Sequence, residues 1–80
     1  MNPNFVNALY NLAILVTSAQ PLLAENYYEQ VIALTPNNAS AHLNLGFVFR
    51  SQGNKGQSRT EFAKAVAIDP SLKSRIPAGA

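Results

Sequence analysis

The apolar residues of this chain recur at intervals of three and four, the spacing that gathers them on one side of an α-helix. Leu9, Leu12, Ala13 and Val16 form a first stripe, and Ala24, Tyr27, Tyr28, Val31 and Leu34 a second. His42 leads into a third with Leu45, Gly46 and Phe49, and Phe62, Ala65, Val66 and Ile68 make a fourth. Between the stripes fall Gln20-Pro21, Pro36-Asn37-Asn38, Gly53-Asn54 and Pro70-Ser71, which bend or end helices. The pattern predicts four helices, joined by turns short enough to make antiparallel hairpins. Asn4 and Asn38 precede apolar helical patterns and are the expected N-caps, whose side-chain oxygen accepts from an unpaired backbone N–H. Gly53 is the expected helix stop, because glycine enters the left-handed region without steric cost.

The pattern also repeats. Asn11-Leu12-Ala13 is answered by Asn44-Leu45-Gly46, and Thr35-Pro36 by Asp69-Pro70, at offsets of 33 and 34 residues. In the second copy, His42-x2-Leu45-Gly46-x2-Phe49 is followed by Ser58-x3-Phe62, Ala65 and Pro70. This resembles the tetratricopeptide repeat, a unit of about 34 residues carrying W-x2-L-G-x2-Y, then A-x3-F, then P. The first copy is looser: Leu9-x2-Leu12-Ala13-x2-Val16, Ala24-x3-Tyr28, Val31 and Pro36, with one residue fewer between Val16 and Ala24 than between Phe49 and Ser58. Small residues at Ala13, Ala24, Gly46 and Ser58 let two helix backbones approach, while Tyr28 and Phe62 fill the space beside them. The resemblance covers nearly all of residues 2–70. It implies an all-α fold of two stacked antiparallel helix-turn-helix hairpins, an α-solenoid superhelix within one domain, residues 1–80. Repeat 1 takes residues 5–38, repeat 2 residues 39–72, and a short tail residues 73–80.

Both ends bear on stability. Asn2-Pro3-Asn4 matches the closing tripeptide of an earlier repeat, so the two copies read as the C-terminal part of a longer array. After Pro70 only Ser71 to Ile76 precede Pro77, which is too short for the solvating helix that normally closes such arrays. Stacked repeats bury their faces on their neighbours, so apolar flanks and self-association through uncapped ends are expected.

Composition narrows the function. With 48% hydrophobic and 12% charged residues, the chain is too apolar for a disordered segment. The absence of cysteine removes disulfides, thiolate metal sites and thiol nucleophiles, and fits a reducing, cytoplasmic setting. The single His42 cannot complete a zinc site, and no metal or cofactor is implied. As a general base oriented by Glu25 or Glu29, His42 lacks a nucleophile constellation, and it falls on a large core position of the repeat; no catalytic residue is assigned. The apolar stretch from Phe5 to Ala24 contains Thr17-Ser18-Ala19, a loose cleavage-site pattern, but has no basic segment ahead of it. Asn7, Asn11, Thr17, Gln20 and Pro21 interrupt it, so neither a signal peptide nor a membrane span is favoured. All six basic residues lie from Arg50 onward. They are spread over turns and helix faces with no aromatic alternation, which leaves weak nucleic-acid or anionic-surface binding as a secondary reading.

Each first helix carries a further stripe: Asn7, Tyr10, Asn11, Ile14 and Thr17 in one copy, and Ser40, Leu43, Asn44, Phe47 and Arg50 in the other. In the family this chain resembles, those positions line a concave groove that receives an extended or helical peptide. Rings and aliphatics drive such association, and Asn11 and Asn44 are the candidates to pin a ligand backbone. The less favoured alternative is that Tyr10, Ile14, Leu43 and Phe47 pack against the neighbouring second helices. With Arg50 its one cation, a carboxylate clamp is not expected. The resemblance therefore implies a protein–protein interaction module or scaffold. The alternative is a piece of a larger protein, for example a repeat-bearing glycosyltransferase, in which the repeats recognise substrate or mediate oligomerisation.

Overall fold

The computed structural model describes residues 3–79. Four α-helices, α1 Pro3–Val16, α2 Pro21–Leu34, α3 Ala39–Ser51 and α4 Lys55–Ile68, are followed by a 3-10 helix at Pro70–Arg75. No strand occurs among the described residues. α1 packs on α2 and α3 on α4 as two hairpins, and the α2–α3 contact stacks one hairpin on the other. The stack measures 36 × 28 × 16 Å, so in its thin direction it has only about two helix layers, at a helix diameter of roughly 10 Å. The expectation drawn from Asn2-Pro3-Asn4 rests partly on Asn2, outside the described residues. Asn4, expected as an N-cap, lies inside the first turn of α1.

The turns follow from their residues. Gly53 has φ 78°, and the α3 C-terminus closes with Gly53 N–H donating to the Arg50 carbonyl and Asn54 N–H to the Phe49 carbonyl. That pair of bonds is a Schellman stop, which places glycine at the left-handed position. Asn38 caps α3, accepting from the Ala41 N–H at 3.1 Å. Asn54 caps α4: its Oδ1 accepts from the Gln57 N–H, and its amide also contacts the Gln57 side chain. The spacing Asn54-x-x-Gln57 is a capping-box variant that the apolar pattern does not reveal. The first hairpin has no glycine at its turn. There the Gln20 N–H donates to the Val16 carbonyl, and Pro21 opens α2, where its missing N–H leaves no bond unmade.

α3 has apolar neighbours on two sides. Ala41, Leu45, Val48 and Phe49 join the core of the first hairpin around Ala13, Tyr28 and Val31, while Leu43 joins Phe62, Ala65 and Leu72. Gly46 lets α4 come close: a Cβ built there meets the Phe62 ring at 2.6 Å. Ala8, Leu12 and Leu15 of α1 stand 33 positions before Ala41, Leu45 and Val48. Among the described residues no second hairpin covers them, and Leu12 is 41% and Leu15 78% exposed, contrary to the core position expected of Leu12. Ile68, also expected in the core, is exposed. The C-terminal end differs from expectation too. The short 3-10 helix lays Leu72 and the following Ile76 on the α3–α4 core, and so covers a flank that its length alone gave no reason to think it could.

Two glycines separate close approach from open space. Gly46→Ala is expected to destabilise the fold by about 1–3 kcal/mol, because the buried Phe62 ring must move and the loss exceeds the gain in helix propensity. Gly56 has nothing within 4 Å of an added Cβ, so Gly56→Ala in the first turn of α4 is expected to stabilise by up to about 1 kcal/mol. Urea and thermal unfolding of the two variants check the opposite signs.

Candidate partner-binding groove

α1 and α3 are the first helices of successive hairpins, and their facing surfaces enclose an open groove of about 420 Å³. Tyr10 and Ile14 line it from α1, Ser40, Asn44 and Phe47 from α3, and Arg75 from the terminal 3-10 helix. Asn44 Nδ2 donates to the Tyr10 hydroxyl at 2.8 Å, a bond that spans the two repeats and fixes the groove floor. Two edge-to-face ring pairs hold the aromatics: Tyr10 on Tyr28 at 5.9 Å and Phe47 on Phe62 at 5.0 Å. Ile14, at 51% exposure, presents its side chain to solvent at the groove edge.

The residues anticipated for this surface divide. Tyr10, Ile14, Thr17, Ser40, Asn44 and Phe47 come together in the groove. Asn7 and Asn11 are exposed on α1 but do not line it. Leu43 is fully buried among Phe62 and Ala65 of α4 and Leu72 of the terminal 3-10 helix, and it is unavailable to a partner. Arg50 sits at the end of α3, in a different pocket beside Lys55 and Arg59. Arg75 is the cation that the periodicity misses: it follows Pro70, on a segment whose return toward the groove depends on tertiary packing. Tyr28 completes the lining. Burial pushes the Tyr28 phenol above its ordinary value of about 10, against the opposing effect of hydrogen bonding to Thr17. The neutral phenol is the form the fold favours. Its contribution is complete below that ordinary value and is lost as pH rises through the raised one.

On the other side of the molecule, a cavity of about 410 Å³ is floored by Ile32, Leu45 and Phe49 and edged by Glu29, Glu61 and Lys64. His42 lies within it, buried, with Nδ1 2.7 Å from Glu61 Oε1 and Nε2 2.8 Å from the Pro36 carbonyl. The carbonyl can only accept, so Nε2 carries a hydrogen. The Glu61 contact then requires one further proton, on Nδ1 or on the carboxyl. The partner is Glu61 of α4 rather than Glu25 or Glu29, and both ring nitrogens are engaged, which leaves no free lone pair for a substrate. Glu29, on the exposed side of α2, has its carboxyl held above the usual range by partial desolvation and then by the like charges of Glu25 and Glu61. No group of three or more His, Cys, Asp or Glu side chains among the described residues could hold a metal ion. No helix among them is long and apolar enough to cross a membrane.

The His42 contacts tie the inter-repeat turn to α4. Glu61→Ala is expected to lower stability by about 3 kcal/mol, since it strips the buried imidazole of a partner. Glu61→Gln is expected to lose less, because its amide N–H can donate to Nδ1 while Nε2 keeps its hydrogen on the Pro36 carbonyl. Denaturant unfolding of both variants at pH 7 measures the difference.

Comparison with known proteins agrees with the geometry. No curated protein matches the chain. A model of the TPR repeat matches residues 24–53, and a model of the tetratricopeptide repeat matches residues 39–72. The two overlap on α3 and together span α2, α3, α4 and the start of the 3-10 helix. The chain belongs to the tetratricopeptide-repeat family, whose repeats are protein–protein interaction modules.

Proposed function

We propose that the protein is a non-catalytic scaffold that binds a peptide segment, extended or helical, in the groove between α1 and α3. The observation that carries this reading is the combination of apolar and amide groups facing open solvent there. Ile14 and Phe47 supply apolar surface to bury. Asn44 spends one N–H on Tyr10 and keeps its carbonyl oxygen and second N–H for a ligand backbone. Arg75 sets one positive charge at the rim, so the preferred segment is apolar with a single acidic side chain. Asn7 and Asn11 stand on the same helix outside the lining and would meet only a ligand that extends past the groove. The absence of cysteine fits a cytoplasmic setting for such a scaffold. Affinity isolation from a native extract tests the groove with Ile14→Glu, an exposed position whose change leaves the core intact, and with Phe47→Ala and Asn44→Ala. Partners recovered with the wild type should be lost by at least about tenfold with Ile14→Glu, the range of an interface anchor. Unchanged recovery from a variant of wild-type helicity moves the binding surface elsewhere.

A second reading is self-association, favoured by a specific feature of α1. Ala8, Leu12 and Leu15 are left exposed in the register that Ala41, Leu45 and Val48 use to join the first hairpin's core. With the protein alone in solution, a second copy is the apolar surface available to cover them. Sedimentation at increasing concentration should show a rise in mass for the wild type and none for Leu15→Glu. A wild type that stays monomeric throughout contradicts this reading.

A further inference from the structure

α1 carries two apolar seams. Val6, Leu9, Ala13 and Val16 belong to the core of the first hairpin. One position earlier, Phe5, Ala8, Leu12 and Leu15 follow at steps of three, four and three, the spacing of a coiled-coil seam, and all four are exposed. Exposed large apolar side chains gather at this end of the molecule. Phe5, Leu12, Ile14 and Leu15 lie on α1 and Leu22 at the start of α2, against Ile68 alone in the second hairpin among the described residues.

A second copy can cover the free seam in two ways: head to tail, on the far end of the stack, or face to face, on its own α1. The repeat shows what the first way needs. Ala41, Leu45 and Val48 share a core with Ala24, Tyr28 and Val31, whose counterparts 34 positions on are Ser58, Phe62 and Ala65. That place is taken, because the terminal segment sets Leu72 and Ile76 on the cluster of Phe62 and Ala65. The opening left beside it lies between Arg59 and Lys73, and α1 has no acidic residue to set against either. The face-to-face contact meets neither obstacle. α1 carries no charge of either sign, so two copies approach without like-charge repulsion. An antiparallel approach also opposes the helix dipoles. It puts Phe5 opposite the partner's Leu15 and Ala8 opposite the partner's Leu12, which pairs small with large along the seam.

We infer that the chain forms a closed two-fold dimer by antiparallel packing of α1 on the α1 of a second copy, and that the terminal segment, by occupying the far end, stops growth beyond it. The inference rests on the self-association reading and specifies its symmetry. A helix of 14 residues is about 21 Å long, so the contact falls below the roughly 1,200 Å² of standard interfaces and the dimer is weak and concentration-dependent. At about 100° per residue, Tyr10 and Ile14 stand on the other side of α1 from the seam. The dimer therefore keeps both grooves open, and a ligand with two binding segments gains from engaging them together.

Sedimentation of the full chain over a concentration series tests the stoichiometry. Cysteine crosslinking tests the geometry, since the chain has no cysteine of its own and a disulfide forms only where Cα atoms come within about 7 Å. The mass is expected to rise from one protomer to two and to level off there. In an equimolar mixture of Ala8→Cys and Leu12→Cys, both exposed positions, oxidation should yield mainly the mixed dimer joining position 8 to position 12, well above the half of all dimers that random collision gives. Asn7→Cys, exposed on α1 off the seam, should yield little at the same concentration. A wild type that stays monomeric overturns both this inference and the self-association reading. A mass that climbs past two protomers, same-position dimers in excess, or equal crosslinking from Asn7→Cys leaves self-association standing and overturns the antiparallel two-fold seam.

Discussion

The structure depends on α3 being held from two sides. Ala41, Leu45 and Val48 commit it to the first hairpin, Leu43 and the Gly46–Phe62 approach commit it to α4, and His42 links the Pro36 carbonyl to Glu61. With those contacts made, α3 has little freedom to rotate, and its remaining positions are fixed in direction. Asn44 and Phe47 therefore face α1 across the groove. Arg50, at the end of the same helix, is delivered to Lys55 and Arg59 instead. α1 has only one such commitment. That asymmetry explains why residues of equivalent register are core in one repeat and surface in the other.

Features that depend on neighbouring residues in the chain were legible in the sequence. The helices, the Asn38 cap and the Gly53 stop follow from spacing and backbone preference within a few residues. The small residue at Gly46 with a ring at Phe62 was legible as well, because the repeat fixes which helices meet. What escaped depends on which surface lies opposite. Periodicity gives Leu12 an apolar face but does not say whether a helix covers it. Leu43 has the register of a groove residue and is buried in a cluster with Phe62, Ala65 and Leu72, the last of which returns from beyond α4. Arg75 enters the groove for the same reason, and Glu61 displaces the nearer-seeming Glu25 and Glu29 as the partner of His42. The Asn54-x-x-Gln57 cap was present in the sequence and is masked there by the more obvious glycine beside it.

The groove offers rings, an aliphatic edge and a half-used amide, which suit a polypeptide whose backbone must be satisfied as its side chains are buried. Arg75 supplies its one cation, while Arg50 lies apart from it at the end of α3.

The central claim is that partners sit between α1 and α3. Photo-crosslinking from single positions tests it most directly, with the reactive group placed at Ile14 in the groove or at Leu22, an exposed apolar residue on α2 outside its lining. Discrete partner adducts from position 14 and none from position 22 are predicted. Equal crosslinking from both, or adducts from position 22 alone, contradicts the account.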